Sequence, residues 1–89
     1  MGRRWESSAT ASMTRRLGRS AAELGESVGR GECPDIWELD NGDVAVIGRD
    51  LTASFRGRLP PSVTVGADER LVIIPRSMII AAKADIPDA

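Results

Sequence analysis

Ile36-Trp37-Glu38-Leu39-Asp40-Asn41-Gly42-Asp43-Val44-Ala45-Val46-Ile47 is the stretch on which the fold turns. Asn-Gly between two β-prone runs favours a type I′ turn, whose twist matches that of the strands it joins. A two-residue loop would pair Leu39 with Val44 and Trp37 with Val46 on one face. Ile36, Ala45 and Ile47 would then share the other face with Glu38. Both faces are largely apolar, so neither reads as simply solvated.

Beyond the hairpin, Asp50 is suited to an N-cap, and Leu51, Phe55 and Leu59 recur every four residues. That spacing predicts a helix of about two turns with one apolar stripe, stopped by Gly57 and Pro60-Pro61. Val63-Thr64-Val65 reads as a short edge strand. Leu71-Val72-Ile73-Ile74 is a continuous apolar run of the kind found in a central strand covered on both faces. Pro75 ends it, since proline cannot donate to a ladder. After Pro75 two readings stay open: a helix capped by Ser77 and running through Ala84, which is favoured, or a further strand over Met78-Ile79-Ile80.

Upstream of Glu32-Cys33-Pro34 the composition changes. Sixteen of residues 1–31 are Ser, Thr, Gly or Ala and only six are large and apolar, too few to offset the entropy of ordering the chain. A mostly disordered segment is expected over 1–31, followed by a small domain over 32–89. Within the segment, Ser20-Ala21-Ala22-Glu23 has capping-box spacing, and Leu17, Ala21, Leu24 and Val28 would share one helical stripe. Met13 is an alternative start to Met1. The fold class is α+β: a small antiparallel sheet built on the Asn-Gly hairpin, with one or two short helices.

Charge and composition bound the function. Residues 1–31 carry six Arg against three Glu, a net of +3, whereas residues 32–89 carry six basic and ten acidic groups, a net of −4. An acidic domain is not the usual grip on a phosphate backbone, so nucleic acid is the less favoured partner. With no run of about 18 apolar residues and no signal-peptide pattern, a cytoplasmic protein without membrane contact is expected.

Chemistry finds little to work with. The chain has no His, which removes the commonest general base and metal ligand, and its single Cys cannot form an internal disulfide. Cys33 lies between Glu32 and Asp35, an acidic setting that does not activate a thiol. Asp40 and Asp43 flank the turn with Asp35 and Glu38 nearby, but the spacing fits no EF-hand and an Asn-Gly turn needs no ion. The glycine-rich Gly25–Gly31 stretch lacks the Gly-Lys-Ser/Thr ending of a phosphate loop. No catalytic residue, metal site, cofactor or small-molecule substrate is expected, and the protein reads as a non-enzyme.

What remains is a mismatch of size and greasiness. Nineteen large apolar residues lie between Ile36 and Ile86, more than about 55 ordered residues can hide. Burying the surplus against a second copy or another protein resolves it, with Trp37 and Phe55 as candidate partner-binding residues. A homodimer or a permanent partner is expected.

The stretch CPDIWELDNGDVAVIGRDLT, followed by RLPPSVTVGADERLVIIPR, resembles a group of short, mostly uncharacterised actinobacterial proteins over roughly Cys33 to Pro87. Such proteins are often encoded near helix-turn-helix regulators, which implies a regulatory or accessory role and assigns no catalytic residue. Val46-Ile47-Gly48-Arg49-Asp50-Leu51 is similar to the turn of AbrB-like swapped-hairpin DNA-binding proteins, antitoxins among them, with Gly48 where proline is usual. Val72-Ile73-Ile74-Pro75-Arg76 repeats the pattern. That resemblance implies an alternative function, a dimeric DNA-binding regulator, and matching residues on the turn would put Arg49 near DNA. Arg56 and Arg58, which surround the middle helix, join it as candidate DNA contacts. The leading expectation is a non-catalytic regulatory protein that acts through protein–protein interaction.

Overall fold

Two β-prone runs joined by Asn-Gly do form a hairpin, with one extra residue in its loop. The computed structural model describes residues 5–25 and 34–86. Strands β2 (Asp35–Leu39) and β3 (Val44–Ile47) are antiparallel, with Ile36 opposite Val46 and Trp37 opposite Ala45. Gly42 takes φ 89°, whereas Asn41 stays out of the left-handed region that a type I′ turn would demand of it. The Gly42 N–H donates to the Leu39 carbonyl (3.0 Å) and the Leu39 N–H to the Asp43 carbonyl (2.8 Å). Asn41 Oδ1 accepts from the Asp43 N–H at 2.9 Å, a local bond that stabilises the three-residue loop Asp40–Gly42. The predicted register is therefore corrected by one position. Because side chains alternate, Val44 and Val46 share a face with Ile36 and Glu38, not with Trp37 and Leu39.

The larger correction concerns the N-terminal segment. Met13–Arg16 forms β1, which pairs antiparallel with β2 and completes a three-stranded sheet of order β1-β2-β3. Arg16 lies opposite Trp37, and a bulge separates Met13 from Arg15. Leu17 continues the pairing through its N–H to the Ile36 carbonyl (2.9 Å) and is 2 % exposed. The capping box forms as read: Glu23 Oε1 accepts from the Ser20 N–H (3.0 Å), and Ser20 Oγ accepts from the Glu23 N–H (3.2 Å). The turn that follows buries Ala21 and sets Leu24 against the core. Residues 13–25 thus hold a strand and a turn inside the segment expected to be mostly disordered, whereas Val28 and Cys33 lie outside the described residues.

Past Gly48 the chain enters a second, two-stranded sheet. Strand β4 (Arg49–Asp50) pairs with β5 (Val72–Ile73). A Cβ at Gly48 would stand 2.6 Å from the Ile73 carbonyl oxygen, so only glycine lets the two segments approach. Helix α1 (Thr52–Phe55) runs on as a 3₁₀ turn over Arg56–Arg58. Its N-cap is Leu51 and not Asp50, which stands one position earlier and braces the start through Oδ1, accepting from the Thr52 N–H (3.1 Å) and hydroxyl (2.7 Å). Those bonds hold the Asp50 carboxyl below its ordinary pKa. The predicted stripe is not buried, since Leu51 is exposed and Phe55 and Leu59 are half-buried.

Two strand expectations fail here. Val63–Val65 is irregular. Leu71–Ile74 is not a central strand, because only Val72 and Ile73 pair and both remain exposed. β4 offers a ladder of two residues, too short to continue the pairing. After Pro75 the helix reading holds, but its cap is corrected: α2 spans Arg76–Lys83 with Pro75, in extended conformation, at the N-cap, and Ser77 lies inside the helix. Its Met78 and Ala82, four residues apart on one stripe, pack on Leu17 and Ile36. These four buried residues, with Leu24 and Ile74 alongside, are the hydrophobic core.

Candidate interaction site

An α-helix packed on a sheet can bury only one stripe, and α2 has apolar residues on more than one. Met78 points into the core, which leaves its neighbours Ile79 and Ile80 at 54 % and 62 % exposure. Across from them the corrected register turns Val44 and Val46 to the same side of the sheet as Ile36. With Ile86 just beyond the helix, these side chains line an apolar groove of about 430 Å³ between α2 and β3. Ala82 forms part of its floor, and Lys83 is the one charged residue on its lining. Val44, Val46 and Ile86 are each more than two-fifths exposed.

The sheet edge beside the groove is also open. The bond from Leu39 N–H to Asp43 carbonyl fixes which way β3 faces: the Asp43 carbonyl and the peptide groups of Ala45 and Ile47 are directed towards β2, and the peptide groups of Val44 and Val46 point outward. Among the described residues, no strand pairs with that outer side.

The residues singled out from the sequence lie elsewhere. Trp37 is half-buried on the other face of β2, with the Arg16 guanidinium 4.9 Å from its ring centroid. Phe55 is half-buried under Arg58, 4.3 Å from its ring. Neither lines the groove, and each presents a charged cover instead of a bare ring. Arg49, Arg56 and Arg58 are all exposed. Arg56 Nη1 donates to the Val65 carbonyl (3.3 Å) and Arg58 Nε to the Ser54 carbonyl (3.3 Å).

The carboxylates around the hairpin have local partners. Asp35 accepts two bonds from Arg16, at 2.8 and 3.0 Å, and Glu38 accepts one from Arg15 at 3.0 Å. The Arg16 guanidinium holds the Asp35 carboxyl below its ordinary pKa, partly opposed by its burial. Asp43 Oδ2 accepts from Trp5 Nε1 (3.2 Å) and Asn41 Nδ2 (3.3 Å). Among the described residues, no three acidic, Cys or His side chains converge as a metal site would require. No helix of the described residues is long and apolar enough to cross a membrane.

The groove residues were missed because composition shows a surplus of apolar surface without its location. Met78-Ile79-Ile80 was the available signal. If that triplet is helical, at least one of its residues must face away from the sheet. Comparison with protein-family models, curated proteins and solved structures finds no match to this chain.

Proposed function

We propose that this protein is a non-catalytic accessory or regulatory module whose work is to bind another polypeptide chain through the groove between α2 and β3. The observation that supports the reading is that five of the exposed large apolar side chains gather in one place. Val44, Val46, Ile79, Ile80 and Ile86 line one concave surface that holds a single charge. Covering it removes apolar area from water at about 25 cal/mol per Å², a gain available only on association.

The test compares the hydrodynamic size of the wild-type chain and Ile80→Lys in native cell extract, followed by immunodetection. The wild type is expected in an assembly larger than a free monomer, and Ile80→Lys as the monomer. A wild-type chain that migrates as a monomer in extract overturns the reading.

A second reading, a dimeric DNA-binding regulator of the AbrB-like kind, draws on the exposure of Arg49, Arg56 and Arg58. It calls for DNA binding that weakens with salt and with Ala at those three positions, and no binding at low salt eliminates it.

A further inference from the structure

We infer that the groove and the open edge beside it are covered by a second copy of this chain, β3 pairing antiparallel with β3 of the partner across a two-fold axis at Val46. The inference rests on the interaction reading above and specifies its partner. Three observations carry it.

The first is the contrast between the two edges of the three-stranded sheet. An exposed edge is a template for a further strand, and chains kept single block it with charge, proline or a bulge. β1 is blocked in this way: its sequence is Met-Thr-Arg-Arg and it carries a bulge. β3, Val-Ala-Val-Ile, has no charge, no proline and no bulge in its pairing with β2.

The second is geometric. A two-fold axis perpendicular to an antiparallel pair sets one residue opposite itself, and hydrogen bonds are exchanged only where the peptide groups point outward. Val46 meets both conditions. With Val46 opposite Val46 of the partner, Val44 falls opposite Gly48, and two apolar side chains of the groove meet at the axis. The axis keeps both copies of α2 on the same side of the joined sheet, so the two grooves face each other and Ile79 and Ile80 from each copy converge on the seam.

The third is charge. In this register Asp43 of each copy comes level with Arg49 of the other, the first residue of β4 just past the ladder, which brings one opposite-charge pair to each end of the seam. The Arg49 side chain makes no hydrogen bond among the described residues. Both bonds to the Asp43 carboxylate fall on Oδ2. Moving the axis to Ala45 would set Asp43 opposite Ile47 and lose both pairs.

The experiment uses the purified full chain. Wild type is run in analytical ultracentrifugation at micromolar concentration, beside Val46→Lys. Two single-thiol variants in a Cys33→Ser background, Val46→Cys and Met13→Cys, are oxidised and resolved without reductant. A hydrogen-bonded antiparallel pair sets opposed Cα atoms about 5.5 Å apart, within disulfide reach. The expected result is a wild-type dimer, association weakened about tenfold or more by the opposed lysines of Val46→Lys, and covalent dimer from Val46→Cys but not Met13→Cys. A purified wild-type monomer overturns the inference, as does a dimer in which Val46→Cys cross-links no better than Met13→Cys. A purified monomer that still forms a larger assembly in extract sinks the second-copy inference alone, whereas a monomer in both sinks the interaction reading with it.

Discussion

The three-stranded sheet with α2 and the β4–α1–β5 unit sit side by side in one short chain and are held by different means. The first is held by apolar packing: Leu17, Ile36, Met78 and Ala82 are buried together, with ion pairs fastening β1 along the margin. The second has a single buried side chain, and that one is polar. Thr52 Oγ1 donates to Asp50 Oδ1 (2.7 Å) and accepts from the Leu71 N–H (2.7 Å), and the neighbouring Leu51 N–H donates to the Leu71 carbonyl (3.1 Å). One hydroxyl thus ties the helix start, β4 and the approach to β5. The lesson is that this chain buries only a few of its large side chains, in one core, and closes the remainder with hydrogen bonds. Apolar residues outside that core, such as Ile79 and Ile80, stay exposed along the groove.

The largest expected effect lies in the packed half. Leu17→Ala removes a fully buried side chain supplied by β1's continuation and should cost about 2–5 kcal/mol. Gly18→Ala strikes the same join, because Gly18 holds φ +79° and an added Cβ would lie 2.7 Å from the Ala82 backbone nitrogen in α2. Urea unfolding of both variants measures this. A loss below about 1 kcal/mol for Leu17→Ala, outside the usual range for a buried leucine, would mean that the N-terminal strand does not contribute to the core.

That join was also the least legible part of the sequence. The hairpin could be read because Asn-Gly is a local signal, and α2 because Pro75 opens a helix as readily as it ends a strand. The one-residue register error came from the choice between two- and three-residue loops. The Asn41 side-chain bond to the Asp43 N–H decides that choice, and Asn-Gly suits both. Strand β1 lacks any apolar alternation. What holds it is non-local: Arg15 reaches Glu38 and the Asp85 carbonyl (2.7 Å), Arg16 reaches Asp35, and the Gly18 N–H donates to Asp85 Oδ2 (2.7 Å). Partners 19 to 70 positions away leave no periodic trace. The apolar surplus could be counted, but the groove that collects it depends on the β3 register and on which stripe of α2 faces the sheet.

The hydrogen-bonded half gives the intermediate effect. Thr52→Val keeps the volume but strips the hydroxyl, leaving the Leu71 N–H without its acceptor and Asp50 without one of its two donors. A loss of about 1–3 kcal/mol is expected. Amide exchange separates the halves: the Leu71 N–H should exchange much faster in the variant while the Leu17 N–H, bonded in the other sheet, changes less. Equal acceleration at both amides would show that the two units open as one and erase the contrast drawn between them.

The smallest effect sharpens the comparison at the margin of the packed half. Asp35 is largely shielded from solvent, whereas its partner Arg16 is more than a third exposed, at 37 %. Screening therefore limits the pair to on the order of 1 kcal/mol. Because the folded Asp35 carboxyl titrates below its ordinary value, its contribution is complete above the unfolded pKa of about 4 and is lost as pH falls through the lower folded value. Asp35→Asn should thus destabilise the chain at pH 7 by that amount, and the gap to wild type should narrow steadily below about pH 4 as the wild-type carboxyl gains its proton. Urea midpoints at pH 7, 5, 4 and 3 trace the curve. A gap that persists undiminished at pH 3 would mean that Asp35 acts through the shape of its bonds to Arg16 and the Ile36 N–H and not through its charge, so that β1 is fastened by geometry at both its core and its margin.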